Sequence, residues 1–205
     1  MLNTAPMVLV SRTDLPVKTY ADFVKLAKAG PGQYTYATSG VGTVLHLAME
    51  QLKQRSGIFV THVPYRGGAQ IANDVMGKQV DLAMLVSASS IPHVRAGSLK
   101  ALGVTGKQRI ASLPDVPTFA EAGFPDAQVV SWYALVAPSK TPAAVRQRLN
   151  EEFTKALADP GVRDRLAQAG AMISDRSTPE QVDTMLKQQT VRWEQALKKI
   201  KIDKE

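Results

Sequence analysis

Between Tyr34 and Val104 the chain switches from strand-like to helix-like patterning and back at short intervals, and this alternation narrows the fold more than any other feature. Tyr34-Thr35-Tyr36-Ala37-Thr38 reads as a strand, and a helical period follows from Thr43 to Arg55, with Leu45, Leu47, Ala48 and Leu52 apolar. Phe59 to Val63 is a second strand, ended by Pro64, and Gly67-Gly68 opens a helix over residues 69–75. Val80 to Val86 is almost wholly apolar, as a buried parallel strand would be. Ser89-Ser90 leads into a helix with Gly97 as its C-terminal cap, and Leu99 to Val104 is the next strand. Strands joined through single short helices predict an α/β domain with a largely parallel sheet.

The flanks are less regular. Met7 to Val10 reads as a strand, and Thr19 with Asp22 three places on starts a helix that Gly30-Pro31-Gly32 stops. Beyond the α/β run, Leu113-Pro114-Asp115-Val116-Pro117-Thr118 is a rigid turn region, followed by one helical turn over 119–122 closed by Gly123. A long strand is predicted over 129–137. Thr141-Pro142 starts a helix with proline at its first position, which runs to Ala158 and is broken by Asp159-Pro160-Gly161. A short helix over 162–169, a short strand over 171–174, and a last helix from the capping box Thr178-Pro179-Glu180-Gln181 to about Ile200 complete the chain.

The loop between the first strand and helix of the run carries the chemistry. Thr38-Ser39-Gly40-Val41-Gly42-Thr43 joins a strand end to a helix start. Its glycines let backbone N–H groups approach a ligand with no Cβ in the way. The unpaired first-turn N–H groups and the helix dipole make such a junction an anion site. The hydroxyls of Thr38, Ser39 and Thr43 add donors. No lysine follows, so this is not a nucleotide phosphate loop, and no third glycine completes a dinucleotide fingerprint. A small carboxylate is the better-matched anion; the alternative is that the glycines only make a tight turn. His46, one turn into the helix, either hydrogen-bonds toward the loop or is a buried, satisfied histidine.

Other chemistries find little support. The 205 residues hold no cysteine, which excludes disulfides and thiolate metal sites. His46, His62 and His93 have no metal-ligand spacing, so no metal and no cofactor are expected. No serine sits in a nucleophile elbow or an arranged set with His and Asp, so no catalysis is expected. The net charge of +7 is spread along the chain, aromatics are only 6%, and the densest basic run, Lys198-Lys199-Ile200-Lys201, suits a solvated helix end better than nucleic acid. No apolar run is long enough to span a membrane, and no signal peptide precedes Leu2.

Several stretches, in order, resemble one known family. They are Tyr36-Ala37-Thr38-Ser39-Gly40-Val41-Gly42-Thr43 with His46-Leu47-Ala48-Met49-Glu50, His62-Val63-Pro64-Tyr65-Arg66-Gly67-Gly68, Gly77-Lys78-Gln79-Val80-Asp81-Leu82, Pro92-His93-Val94-Arg95-Ala96-Gly97, Leu113-Pro114-Asp115-Val116-Pro117-Thr118 with Glu121-Ala122-Gly123, Ser131-Trp132, Ala137-Pro138 and Thr141-Pro142. The chain resembles the substrate-binding proteins of tripartite tricarboxylate transporters, the Bug family. The resemblance implies a periplasmic-binding-protein-like α/β fold of type II, a two-lobed Venus flytrap. It implies capture of a small organic carboxylate, a dicarboxylate or related acid, for a membrane permease, in the periplasm and without catalysis or metal. By position, the ligand-binding residues would be Thr38, Ser39, Gly40, Gly42 and Thr43. Val86 and Ser87, at the end of the third strand of the run, would face the same cleft. Trp132 would be either a cleft wall or a hinge-side core residue. Val86 stands near a position where the family often has Asp, which favours a plain acid over an amino acid. An interaction module that keeps the fold but has lost ligand binding is the alternative.

Members of that family are about half again as long, so the resemblance implies one complete lobe over 12–125, with hinge strands and a partial second lobe in 1–11 and 126–205. The N-terminal part of the family's first lobe would be missing. A lobe that lacks sheet neighbours predicts open apolar faces, weak ligand affinity, and a homo-oligomer or a second polypeptide that supplies the remainder.

Overall fold

The computed structural model describes residues 1–125, 127–173 and 178–198. In chain order the elements are β1 (Asn3–Ser11), α1 (Tyr20–Ala29), β2 (Thr35–Thr38), α2 (Val44–Ser56), β3 (Thr61–Pro64), α3 (Gly68–Met76), β4 (Leu82–Val86), α4 (Ser87–Arg95) and β5 (Lys100–Val104). They continue with β6 (Val130–Tyr133), α5 (Ala143–Ala158), α6 (Pro160–Gln168), β7 (Met172–Ile173) and α7 (Pro179–Leu197). The predicted alternation is present in order, including the Thr19–Asp22 capping box of α1 and the Thr178–Gln181 bonds that open α7. The basic run at 199–201, the predicted end of the last helix, the end of the short strand at residue 174 and the boundary at residue 126 lie outside the described residues.

The main sheet has the order β3-β2-β4-β1-β5. β2 is parallel to β3 and β4, but β1 runs antiparallel to both β4 and β5. The sheet is therefore mixed, and β4 has a parallel neighbour on one side and an antiparallel one on the other. Nothing in the β4 sequence could show this, because burial on both faces demands apolar residues whichever way a neighbour runs. The core follows the two-residue strand period. Met7, Leu9, Tyr36, Leu82 and Met84 face one apolar cluster with residues of α1 and α2. Val8, Val10, Ala37, Ala83 and Leu85 face a second cluster with residues of α3 and α4. Helices thus cover both faces, and the loops leaving β2, β3 and β4 emerge together at the carboxyl edge of the parallel strands, where open α/β sheets bind ligands.

The opposite edge is tied by one carboxylate. Asp81 Oδ1 accepts from Arg12 Nε at 2.9 Å, and Asp81 Oδ2 accepts from the Thr35 amide at 2.8 Å and the Thr35 hydroxyl at 3.1 Å. Arg12 N also donates to Asp81 O at 3.1 Å. One side chain therefore locks together the start of β2, the start of β4 and the end of β1.

The remaining elements hang on the other half of β1: β6 pairs Asn3–Pro6 and β7 pairs Asn3 and Thr4, both antiparallel. Three local expectations need correction here. The strand predicted over 129–137 is regular only over Val130–Tyr133, because its partner strand ends and the last bond is Leu2 N to Tyr133 O. Pro142 is the cap of α5 rather than its first helical residue. Ser87 is the first residue of α4, not a strand end. Helices α5 and α6 bury no residue. With Val136 76% exposed and Leu135 49% exposed, they flank an open apolar groove of about 370 Å3 between α5, β7 and α7.

Asp81→Ala should lower the unfolding free energy by about 1–2 kcal/mol, since it leaves the two Thr35 donors without their acceptor, while the Arg12 guanidinium keeps Asp14 at 2.8 Å. Urea denaturation checks this, and a loss below about 0.5 kcal/mol would mean solvent replaces the clamp at no cost.

Candidate functional site

β2 ends at Thr38, which is fully buried, and the chain turns through Ser39 to Gly42 before α2 begins. The turn needs its glycines for conformation: Gly40 has φ +128° and Gly42 has φ +74°. Both lie where a side chain is strained. Thr43 is the N-cap of α2 and closes the loop on itself. Its hydroxyl donates to Gly40 O at 2.8 Å, and its Oγ1 accepts from His46 N at 3.4 Å. The first-turn amides of Val44 and Leu45 have no acceptor among the described residues. A partial positive charge is therefore presented at the helix start.

Two of the predicted ligand residues are already committed. The Gly42 amide donates to His46 Nδ1 at 3.1 Å, so it turns into the protein rather than toward a ligand. Thr38 Oγ1 lies 2.7 Å from His62 Nε2 and accepts weakly from Gly40 N at 3.4 Å. Ser39 and Thr43 are half-buried, while Gly42 is exposed. Val44 lines a cavity of about 320 Å3 with Val130, Ser131, Trp132, Tyr133, Gln189 and Trp193. The structure thus brings the start of α2 and Trp132 to one space. Val86 is half-buried, is the backbone cap of α4 and packs on the same apolar cluster as Val44. Ser87 is not brought to the site. It is fully buried, its hydroxyl donates to Gly170 O at 3.3 Å, and a Cβ at residue 170 would come within 2.8 Å of its Cβ. The turn before β7 covers it.

Behind the loop stands a cluster that spacing along the chain did not reveal. The rings of His46 and His62 stack with centroids 4.1 Å apart and planes at 16°, and Tyr36 stacks on His62 at 4.9 Å. The parallel register places Tyr36 opposite His62 and Thr38 opposite Pro64, which brings together residues separated by a whole strand–helix–strand unit. On α2, Glu50 accepts from the Tyr36 hydroxyl. It also pairs with Lys53 Nζ at 2.6 Å and lies 3.7 Å from His46 Nε2. The signal in the sequence was the i, i+4 pair of His46 and Glu50. His62, beside a proline and far from both, looked unrelated.

Burial lowers the His46 pKa, with Lys53 helping and Glu50 opposing. Burial, with His46 alongside, pushes His62 down to about 4. An exposed imidazole titrates near 6.5, so between about pH 4 and 6.5 the unfolded chain binds more protons than the folded one. The stability these groups contribute is whole above pH about 6.5 and declines as the pH falls toward 4. Thermal melts should therefore show a smaller acid loss of Tm in His62→Gln than in the parent. Equal slopes would mean that the imidazoles are not held neutral. Among the described residues no three His, Cys, Asp or Glu converge as a metal site, and no helix is long and apolar enough to cross a membrane.

Comparison with known proteins places the chain in a family. A family profile described as tripartite tricarboxylate transporter family receptor matches residues 1–202. A UPF0065 protein of Agrobacterium vitis is 37% identical over 194 residues, 94% of this chain and 56% of the relative, so the chain spans a little over half of that relative's length. Among solved structures, the periplasmic binding protein BugD superposes with a TM-score of 0.92 at 31% identity, over 100% of this chain and 69% of its own. A protein of R. palustris solved with adipate superposes with a TM-score of 0.91 at 30% identity, over 96% of this chain and 66% of its own. The fold is that of periplasmic binding proteins, and the chain belongs to the tripartite tricarboxylate transporter receptor family.

Proposed function

We propose that this chain captures a small organic carboxylate, a dicarboxylate or related acid, in the periplasm and delivers it to the membrane permease of a tripartite tricarboxylate transporter. The observation that carries the reading is the start of α2. A glycine-shaped loop there leads into the unpaired amides of Val44 and Leu45, and Val44 lines a cavity with Trp132 and Trp193. Free amides at a helix start suit an oxyanion held by geometry. The R. palustris relative solved with adipate supports a dicarboxylate. In this reading Ser39 and the first turn of α2 meet one carboxylate, Gly40 and Thr43 hold the loop in the shape that presents them, and Trp132 and Val86 shape the space for the body of the ligand. Thr38 and Gly42 frame the loop, and Ser87 belongs to the packing. One lobe spans 12–125; residues 1–11 and 126–205 form the hinge strands and part of the other lobe. Binding without turnover is expected.

Calorimetric titration with succinate, malate, adipate and benzoate tests the proposal. At least one should bind, and both Gly40→Val, which forces a side chain into a left-handed backbone, and Thr43→Ala should weaken that ligand about tenfold or more, the worth of one to two lost hydrogen bonds. Loss of the cap alone costs Thr43→Ala about 1 kcal/mol of stability, so its fold is checked by its melting curve. Failure of every acid to bind would favour an interaction module that keeps the fold without the ligand.

A further inference from the structure

We propose that the stacked, uncharged His46–His62 pair is the positioning device of the carboxylate loop: it holds Gly42 and Thr38 from behind in the binding geometry, and proton uptake by the pair releases the loop. This rests on the reading of the loop as a carboxylate site, but the device itself is defined by the protein alone.

The argument begins at Gly42. This residue is exposed, and nothing lies within 4 Å of the place a Cβ would occupy, so packing does not fix it. Its amide donates to His46 Nδ1 at 3.1 Å. That bond requires Nδ1 to be bare, which puts the ring proton on Nε2, on the Glu50 side, at 3.7 Å from the carboxylate. A proton added to Nδ1 would set two N–H donors against each other across the same 3.1 Å. The bond would break and the Gly40–Gly42 turn would lose its inner anchor.

Thr38 is held by the second ring, in a bond that either ring-nitrogen state can make. At 2.7 Å the Thr38 hydroxyl either donates to a bare His62 Nε2 or accepts from an Nε2–H and turns to Gly40 O at 3.3 Å. Each arrangement ties the strand end to the loop. The two rings stack at 4.1 Å, so a charge on one opposes a charge on the other.

The surroundings keep the pair neutral without making it inert. From α2 the groups that face the pair are Glu50 and Lys53, from β2 it is Tyr36, and each histidine, His46 on α2 and His62 on β3, faces the other. Glu50 would be the natural counterion for an imidazolium, but it already pairs with Lys53 at 2.6 Å and accepts from Tyr36. Its charge is therefore largely answered, and His46 is only 5% exposed. The depressed histidine pKa values follow from this enclosure.

The test needs no ligand for its first arm. In 15N-labelled full chain at neutral pH, the His46 ring nitrogens should report the Nε2–H tautomer, and the Gly42 amide should be protected from hydrogen exchange. That protection should vanish on acidification while the β1–β4 amides stay protected. His46→Asn, whose Oδ1 can stand where Nδ1 stood and cannot titrate, should keep the protection into acid. His46→Ala should lose it at every pH with the β1–β4 amides unaffected. An Nδ1–H tautomer, an unprotected Gly42 amide at neutral pH, or identical acid profiles in the parent and His46→Asn would overturn the proposal. The second arm titrates adipate. Its affinity should fall at least tenfold where Gly42 protection is lost, and His46→Asn should flatten that fall. A flat adipate profile across the loss of protection would overturn the link to binding. Absence of adipate binding at neutral pH, with the first arm as expected, would count against the adipate form of the proposed function and leave the loop device standing.

Discussion

One strand carries two ladders, and the rest of the molecule depends on how it changes from one to the other. β1 gives Asn3–Pro6 to β6 and β7, and Met7–Ser11 to β4 and β5. The change falls at Pro6–Met7. A proline has no N–H to offer a ladder, so it suits the residue at which pairing must stop on one side. The amide of Met7 is not left unpaired: it donates to Thr105 Oγ1 at 3.0 Å, and Thr105 N returns a bond to Met7 O at 2.9 Å. A Cβ at Gly106 would come within 3.2 Å of the Pro6 ring, so the following turn lies close against the crossing. The register on both sides is thereby fixed at one point. A slip of one residue would carry Met7 and Leu9 to the face now held by Val8 and Val10, with two differently shaped clusters to refill.

The loop inherits its place from that arrangement. β4 is set against β1, β2 is set against β4 with Tyr36 opposite Leu82, and β3 is set against β2 with His62 opposite Tyr36. Each step is a backbone ladder, and together they leave the carboxyl ends of β2, β3 and β4 side by side. The Arg12–Asp81–Thr35 contacts lock the far end of the same three-strand unit. The loop therefore moves with the sheet. What remains adjustable is the short turn from Ser39 to Gly42, held by hydrogen bonds rather than by packing.

Local pattern made the elements legible, and pairing made them illegible. The Thr19–Asp22 box, the Thr43 cap, the Gly40 and Gly42 turn and the Thr178 start could each be read from residues within one helical turn, and each is present. The direction of β1 against β4 could not, because an all-apolar strand looks the same beside either neighbour. The strand expected beyond Tyr133 failed for a related reason: residues 134–137 are apolar enough, but β1 has ended and offers no partner. At the site, the loop residues were legible and their commitments were not. Gly42 reads as a free amide until His46 is seen to accept from it, and Ser87 reads as a cleft residue until Gly170 is found over it. His62 is the clearest case. Its partners Thr38, Tyr36 and His46 all precede it by sixteen or more residues, a distance only a parallel register can close.

The carboxylate site proposed at the start of α2 relies on backbone donors. The ammonium of Lys53 is bound to Glu50 and sits over the Tyr36 ring at 5.1 Å, so it serves the cluster behind the loop. The free donors there are the Val44 and Leu45 amides, whose attraction for a carboxylate is short-ranged and directional, whereas an arginine or lysine attracts any anion at a distance. The chain's net charge of +7 can still raise the local concentration of acids in general. Selection then falls to geometry at the loop. For such a site a histidine held neutral is more useful than one held charged. An imidazolium behind the loop would add a non-selective field and at the same time break the Gly42 bond that gives the loop its shape. Keeping the pair uncharged preserves the one property the front of the site relies on, a fixed set of donors at the start of α2.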